Sequence, residues 1–351
     1  MKIIHTADLH LGMYPDRGQP WSEERHEALW EALRRIIRRT EAERADLLLI
    51  AGDLFHRQPL LRDLREADSL FASLSHTRVI LIAGNHDCLT PRSRYRDFNW
   101  ADNVFFLGDA RLCSVRFDDL NAEVHGFSYC QAEIREPLCD GLRAPDDGRI
   151  HILLAHGGDA RHVPIDRQLL SAAGFHYAAL GHIHKPELSE ELRLAWCGSP
   201  EPIDRTDTGP RGYVIADVTR RQTRLRFVPD CTAQYLSLSA AVTPAVTREG
   251  LAASLCRTME AQGAGNFFSV TLTGERAPEL DFSTPPPLSG RLVQWTDQTF
   301  PALDYVRIRR EHEGDLLGQF MEEIYKLPAS DVRDRALAYG VRACLQEGGR
   351  P

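Results

Sequence analysis

Five short polar clusters in this chain carry residue types that hold metal ions: Asp8-Leu9-His10, Gly52-Asp53, Gly84-Asn85-His86-Asp87, His156-Gly157 and Gly181-His182-Ile183-His184. Asp8 and Asp53 supply carboxylates, Asn85 an amide oxygen, and His10, His156, His182 and His184 imidazoles. Such a mixed N/O set suits Mn²⁺, Fe or Zn²⁺ better than Mg²⁺ or Ca²⁺, which favour all-oxygen shells. Seven ligands are too many for one ion and suit two if one carboxylate bridges. Paired ions ~3.5–4 Å apart clamp both the attacking and the leaving oxygen of a phosphoryl displacement. Taken singly, Asp8 reads as a turn acceptor, Gly52-Asp53 as a strand-ending turn and His156 as a satisfied buried histidine. Those readings do not account for all five together, each placed directly after an apolar run.

The elements that must position these residues alternate between strand and helix. Strands are expected at Lys2–His5, Leu47–Ala51, Val79–Ala83, Val104–Leu107, Val124–Phe127, Ile150–Ala155, Tyr177–Leu180, Leu192–Cys197, Tyr213–Val218 and Leu225–Val228. Helices are expected from Ser22, as the cap, through Leu29, Leu33, Ile36 and Ile37, and from Arg62 to Leu74. Alternation of this kind means α/β layers. Ligands of α/β folds sit at the carboxyl ends of strands, so clusters spread from residue 8 to residue 184 can meet at one place.

The pattern changes near Val228-Pro229-Asp230. Strands at Tyr235–Leu238, Phe267–Leu272, Leu292–Trp295 and Val306–Ile308, with a helix at Arg248–Gln262, make a small α+β domain. The expected organisation is therefore residues 1–230, a smaller unit over 231–313, and terminal helices over 314–351. In that last segment Leu316, Leu317, Phe320, Met321 and Ile324 recur at helical spacing. A further helix is expected from a Ser330 cap to Gln346, with Val332, Ala336, Tyr339 and Leu345 available for packing. These stripes either pack on their own domain or receive a partner.

Bulk properties narrow the class. At 351 residues, 43% hydrophobic and 26% charged, the chain has the composition of a globular protein larger than one compact core. No apolar run approaches the length of a transmembrane helix, and the N-terminus lacks the pattern of a signal peptide, which together point to the cytoplasm. The eight cysteines contain no C-x-x-C pair and read as reduced thiols. A net charge of −8 weighs against duplex binding without excluding a local basic strip. Of the 42 basic residues only Lys2, Lys185 and Lys326 are lysines. The Arg34, Arg35, Arg38, Arg39 run and the Arg92, Arg94, Arg96 run read as solvated faces, the second close enough to the Asn85 loop to touch a nucleic-acid backbone.

The order D-x-H, G-D, G-N-H-D, H, G-H-x-H resembles the calcineurin-like metallophosphoesterases. The wider wording HTADLHLG, AGDLFHR and GHIHKPE followed by GSPEPID is similar to the SbcD and YhaO-type DNA repair nucleases, over residues 1 to about 230. The resemblance implies a four-layer αββα sandwich with a smaller α+β capping domain. It implies one ion on Asp8, His10 and His184, a second on Asn85, His156 and His182, and Asp53 bridging both, Mn²⁺ being the expected metal. It gives His86 the task of facing the scissile phosphate and protonating the leaving oxygen, with Asp87 orienting its ring, and His56 a contact to the phosphate. The plain alternative for His56 is a surface histidine beside Arg57. The implied activity is a DNA exonuclease or endonuclease, homodimeric and partnered by an SbcC-like coiled-coil ATPase. A phosphodiesterase for small nucleotides and an inactive scaffold for an ATPase are the alternatives. The full ligand set and His86 argue against the scaffold.

Overall fold

The computed structural model describes residues 1–347; the last four positions of the expected segment 314–351 lie outside the described residues. In chain order come β1 (Lys2–Thr6), α1 (Ser22–Glu43), β2 (Leu47–Ala51), α2 (Leu61–Ala72), β3 (Arg78–Ile82), β4 (Val104–Phe106), β5 (Cys113–Phe117), β6 (Ala122–Gly126), β7 (Ile150–His156), α3 (Arg167–Ser171) and β8 (Tyr177–Gly181). There follow β9 (Glu187–Ser189), β10 (Leu194–Trp196), β11 (Gly212–Val218), β12 (Thr223–Pro229), β13 (Tyr235–Val242), α4 (Arg248–Gln262), β14 (Phe267–Arg276), β15 (Arg291–Pro301), α5 (Tyr305–Glu311), α6 (Leu316–Lys326) and α7 (Asp331–Glu347).

Two six-stranded sheets form the first compact unit, Met1–Leu236 with Gly265–Phe267. Their orders are β12-β11-β1-β2-β3-β4 and β5-β6-β7-β8-β10-β9. Continuous apolar runs such as Leu47–Ala51 form their inner strands because both strand faces are buried, as in parallel sheets covered on each side. Alternate residues sort between two cores. Ile3, Leu47, Leu49 and Ile80 meet Val124, Ile152, Leu154 and Ala179 between the sheets. Ile4, Leu48, Ile50 and Leu81 face outward under α1 and α2, which contribute Leu29, Leu33, Ile36, Leu64 and Phe71. The outer face of the second sheet, with Leu153, Ala155 and Leu180, is covered by Leu170 of α3 and by loop residues Phe127, Ile134 and Phe175. The expected αββα layering is present, its fourth layer made mostly of loops around one short helix.

One buried ion-pair network pins α1 to the turn after β10. Glu201 is 1% exposed and lies 3.5 Å from Arg25 and 2.9 Å from Arg35. It also accepts from the Thr232 backbone N–H and hydroxyl. Arg35, expected on a solvated face, is thus partly buried, whereas Arg34, Arg38 and Arg39 make the exposed pairs that such a face predicts. Ser22 does not cap α1: its hydroxyl donates to the Pro15 carbonyl, and Trp21 precedes the helix.

The second unit, Ser237–Ala264 and the described residues from Phe268 onward, holds most of a sheet of order β13-β14-β15, with Leu251, Leu255 and Met259 of α4 buried. The segment Val306–Ile308, expected as a strand, is part of helix α5. Its Asp304 cap accepts from the Arg307 N–H, and Ile308 is buried while Val306 is 83% exposed. A three-residue apolar alternation is too short to separate the two periods. Helices α5, α6 and α7 bury Ile308, Leu317, Met321, Leu337 and Val341 together. The buried face of α7 is thus Leu337 and Val341, not the expected Val332, Tyr339 and Leu345, which are exposed. The Ser330 cap is as expected, accepting from the Arg333 N–H.

Replacing Glu201 by alanine leaves the buried Arg25 guanidinium without its carboxylate, while the partly buried Arg35 keeps Asp230. The expected loss is ~3–5 kcal/mol of unfolding free energy in a urea titration. A loss below ~1 kcal/mol would mean that the network is solvated in solution.

Candidate metal centre

The five clusters converge because the parallel β1–β2 ladder continues past the strand ends. The Asp8 N–H donates to the Gly52 carbonyl at 3.1 Å, His10 to Asp53 at 3.1 Å, and Leu11 to Leu54 at 2.9 Å. Asp8, His10, Asp53 and His182 all have positive φ, between 48° and 86°. This region costs a non-glycine residue of order 1–3 kcal/mol, and four such residues at one spot mark a place where the backbone is bent to aim side chains. The glycines answer a different need. A Cβ on Gly52 would lie 2.5 Å from His156 Nδ1, and one on Gly84 would lie 2.3 Å from Asp53 Oδ1.

All seven expected ligands come together. Asp8, His10 and His184 each bring a ligand atom within 4.8 Å of the others, as do Asp8, Asp53 and His156. His10 Nε2 faces His184 Nε2 at 3.2 Å. Asn85 Oδ1 lies 2.9 Å from His156 Nε2 and 3.2 Å from His182 Nδ1. Asp53 Oδ2 stands between the two groups, 3.4 Å from His156 Nε2 and 3.9 Å from His10 Nε2. Imidazole nitrogens and carboxylate oxygens turned on one another in a buried space form a mixed N/O donor set, and these residues are suited to divalent metal ions.

The far nitrogen of three of these rings is also held. His182 Nε2 lies 2.7 Å from Asp159 Oδ2, His184 Nδ1 3.1 Å from Asp207 Oδ2, and His156 Nδ1 2.8 Å from the Ala51 carbonyl. Partners of this kind set the tautomer and ring orientation of a ligating histidine. Neither Asp159 nor Asp207 stands out in the sequence. Asp159 follows the His156-Gly157 motif closely, a signal that many loops share, whereas Asp207 lies 23 residues beyond His184 and has none.

His86 is exposed at the mouth of the centre, its ring 4.8 Å from that of His10. Asp87 does not orient it. The Asp87 carboxylate is fully buried and accepts from two backbone N–H groups, Gly84 at 2.7 Å and Phe55 at 3.1 Å. It fastens the Asn85 loop to the Asp53 loop. His86 Nδ1 instead faces the His56 carbonyl at 3.2 Å. The His56 ring lies against that of His86, centroids 4.9 Å apart, with its Nδ1 3.4 Å from His10 Nδ1. His56 is therefore part of the cluster and half-buried, not a stray surface residue. Arg92, Arg94 and Arg96 are exposed beyond this loop.

Charge is distributed unevenly. Burial holds His10 well below the usual histidine range, and burial together with the neighbouring His156 lowers His182 to about 4. Burial opposes the charged form of His156 as well, but the Asp53 and Asp8 carboxylates prevail and raise it to about 9. Burial pushes Asp8 up to about 6, whereas the surrounding imidazoles, His156 foremost, overcome burial and hold Asp53 well below the carboxylate range. His156 must give up its Nε2 proton before that nitrogen can hold a cation. Mn²⁺ affinity is therefore expected to rise with pH up to about 9 and then level, with proton release visible as a buffer-dependent heat in calorimetry. Affinity independent of pH between 6 and 9 would contradict this. Asp159→Asn is expected to weaken Mn²⁺ binding ~10–100-fold with the fold intact by circular dichroism. Unchanged affinity would reduce Asp159 to a loop residue.

Comparison with known proteins agrees with this geometry. The family model for calcineurin-like phosphoesterases matches residues 1–186. The uncharacterized metallophosphoesterase YhaO of Bacillus subtilis (strain 168) is 29% identical over 240 residues, covering 62% of this chain and 58% of that protein. The DNA double-strand break repair protein Mre11 of Archaeoglobus fulgidus is 40% identical over 232 residues, covering 58% and 51%. The SbcD component of the nuclease SbcCD of Staphylococcus saprophyticus is 24% identical over 265 residues, covering 65% and 69%. The chain thus spans little more than half the length of most of these relatives. Among solved structures, TT1561 of Thermus thermophilus is similar at a TM-score of 0.40 and 12% identity, covering 64% of this chain and 98% of that one. The match over residues 1–186, on the strands and loops that carry every one of the seven ligand-type residues, shows that the chain belongs to the calcineurin-like phosphoesterase family.

Proposed function

We propose that this chain is a metal-dependent phosphodiesterase acting on DNA, a nuclease of DNA repair. The observation that carries the reading is the position of Asp53 Oδ2 between the His10 and His156 groups, where one carboxylate can serve two ions. The names of the Mre11 and SbcCD relatives support DNA as the substrate. In this reading Asp8, His10 and His184 hold one ion, Asn85, His156 and His182 the other, and Asp53 both, with Mn²⁺ the expected metal and Fe or Zn²⁺ the alternatives. Two such ions supply positive charge to a phosphoryl group. The side chains do the rest. With Nδ1–H donated to the His56 carbonyl, the doubly protonated ring of His86 turns its Nε2–H toward the phosphate, passes that proton to the leaving oxygen and keeps the one on Nδ1. His56, stacked behind it, lines the same approach and contacts the phosphate.

The partnership with an SbcC-like ATPase and homodimerisation belong to the same proposal. Val332, Tyr339 and Leu345 support the former: they leave apolar surface on α7 that the packing of α5, α6 and α7 does not consume. Among the described residues no helix is long and apolar enough to cross a membrane.

The decisive measurement compares labelled single- and double-stranded DNA with a small chromogenic phosphodiester, with Mn²⁺ and with chelator. Cleavage of DNA that chelator abolishes is expected. Cleavage of the small diester alone would favour a phosphodiesterase of small nucleotides. Asp53→Ala is expected to lose activity and metal together. His86→Ala is expected to lose ~10²–10⁴ in turnover while keeping its metal, and His182→Ala to lose metal. Loss of an ion from His86→Ala, by elemental analysis, would overturn the division of roles. Val332→Glu with Tyr339→Glu is expected to leave diester cleavage intact and to abolish co-purification with the ATPase. Full retention of the ATPase would place that contact elsewhere.

A further inference from the structure

A second group of ligand-type side chains lies on the outer face of the second sheet, toward the strand ends opposite the metal centre. Glu123 and His125 alternate onto one face of β6, and His151 of β7 pairs with Glu123 in the parallel ladder. His151 is the second residue of β7 and His156 its last, so the groups are five residues apart, roughly 16 Å along the strand. Glu123, His125 and His151 are 8%, 7% and 0% exposed, and one ligand atom from each lies within 4.8 Å of the others.

The catalytic centre provides an internal standard for reading this group. There, His184 has one ring nitrogen held by a carboxylate, Asp207, and the other facing His10 Nε2 at 3.2 Å. Here, His151 Nε2 lies 2.9 Å from Asp147 Oδ1, and its Nδ1 faces His125 Nε2 at 3.0 Å. The Asp147 carboxylate, held below the usual range first by the Arg149 backbone N–H and then by His151, takes the Nε2 proton as a hydrogen bond and leaves Nδ1 with its lone pair. Burial lowers His125 and favours its neutral, ligating form. The Ser114 hydroxyl donates to Glu123 Oε1 at 2.6 Å and keeps that carboxylate ionised. Two imidazoles and a carboxylate, with an orienting acid behind one ring, form a set that Zn²⁺ takes and that Mg²⁺ and Ca²⁺ do not favour.

The geometry points to a separate transition-metal site, best matched to Zn²⁺, formed by Glu123, His125 and His151. An ion there ties the β5–β6 hairpin to β7 and acts on stability, away from the chemistry. The competing reading is a plain hydrogen-bonded histidine pair, and the test separates the two. The full chain is stripped with chelator, equilibrated with Zn²⁺ and passed through gel filtration, and its metal content is counted by mass spectrometry. The wild type is expected to retain about one equivalent more than a Glu123→Gln/His125→Gln double variant, whose Mn²⁺-dependent diester cleavage is unchanged. Equal metal content in the two overturns the site. If the double variant does not fold, His125→Gln alone is read in the same way. In a chain whose catalytic centre is disabled by Asp53→Ala, one bound Zn²⁺ is expected, and none overturns the proposal.

Discussion

Asp53 carries a negative charge at 1% exposure, and much of the first unit is organised around keeping it there. Its Oδ1 accepts the His86 N–H at 2.9 Å, and its Oδ2 is shared between His156 and His10. A bare buried carboxylate is costly, and the usual escape is to take up a proton. Here the proton goes to His156 instead, and the two form a buried ion pair. Three loops, after β1, β2 and β3, and the end of β7 must all arrive within a few ångströms for this to hold. The sheets that deliver them are correspondingly buried on both faces.

The cost appears locally as four ligand residues at positive φ and as glycines that no other residue can replace without striking a ligand. It is offset by neutral devices nearby. Asp87 is pushed to about 7, first by burial and then by the charge of Asp53, yet its two oxygens accept from the Gly84 and Phe55 N–H groups and bind two ligand loops together. Breaking that clamp would loosen the Asn85 and Asp53 loops at once. Glu201 does for the α1 face what Asp87 does for the site, making the GSPEPID segment a buried ionic joint.

The two histidine clusters share one design. In each, a carboxylate on the outer nitrogen of a ring frees the inner nitrogen to act as a ligand. They differ in setting. The first group stands on bent loops, with His86 exposed and His56 half-buried beside it. The second group stands on regular strands, where alternation alone puts Glu123, His125 and His151 on one face. Chemistry on a substrate needs the first arrangement, and a fixed joint between strands needs only the second.

The sequence by itself determined the five polar clusters and the elements behind them. Short apolar runs such as Leu47–Ala51 and Val79–Ala83 read as buried strands once polar turns bound them, and a polar cluster after each marks the carboxyl end. A helix at about Arg248–Gln262 was legible, and α4 spans those residues. What only the tertiary structure decided were partners far apart in the chain. Asp159 and Asp207 each lie 23 residues from the histidine they hold, Asp87 spends its oxygens on backbone rather than on the adjacent ring, and α7 buries Leu337 and Val341 rather than Tyr339. Composition and periodicity report which residues share a face of one element. Which face meets which neighbour, and which lone pair meets which proton, is settled by the packing of elements against one another, and local sequence does not encode those distances.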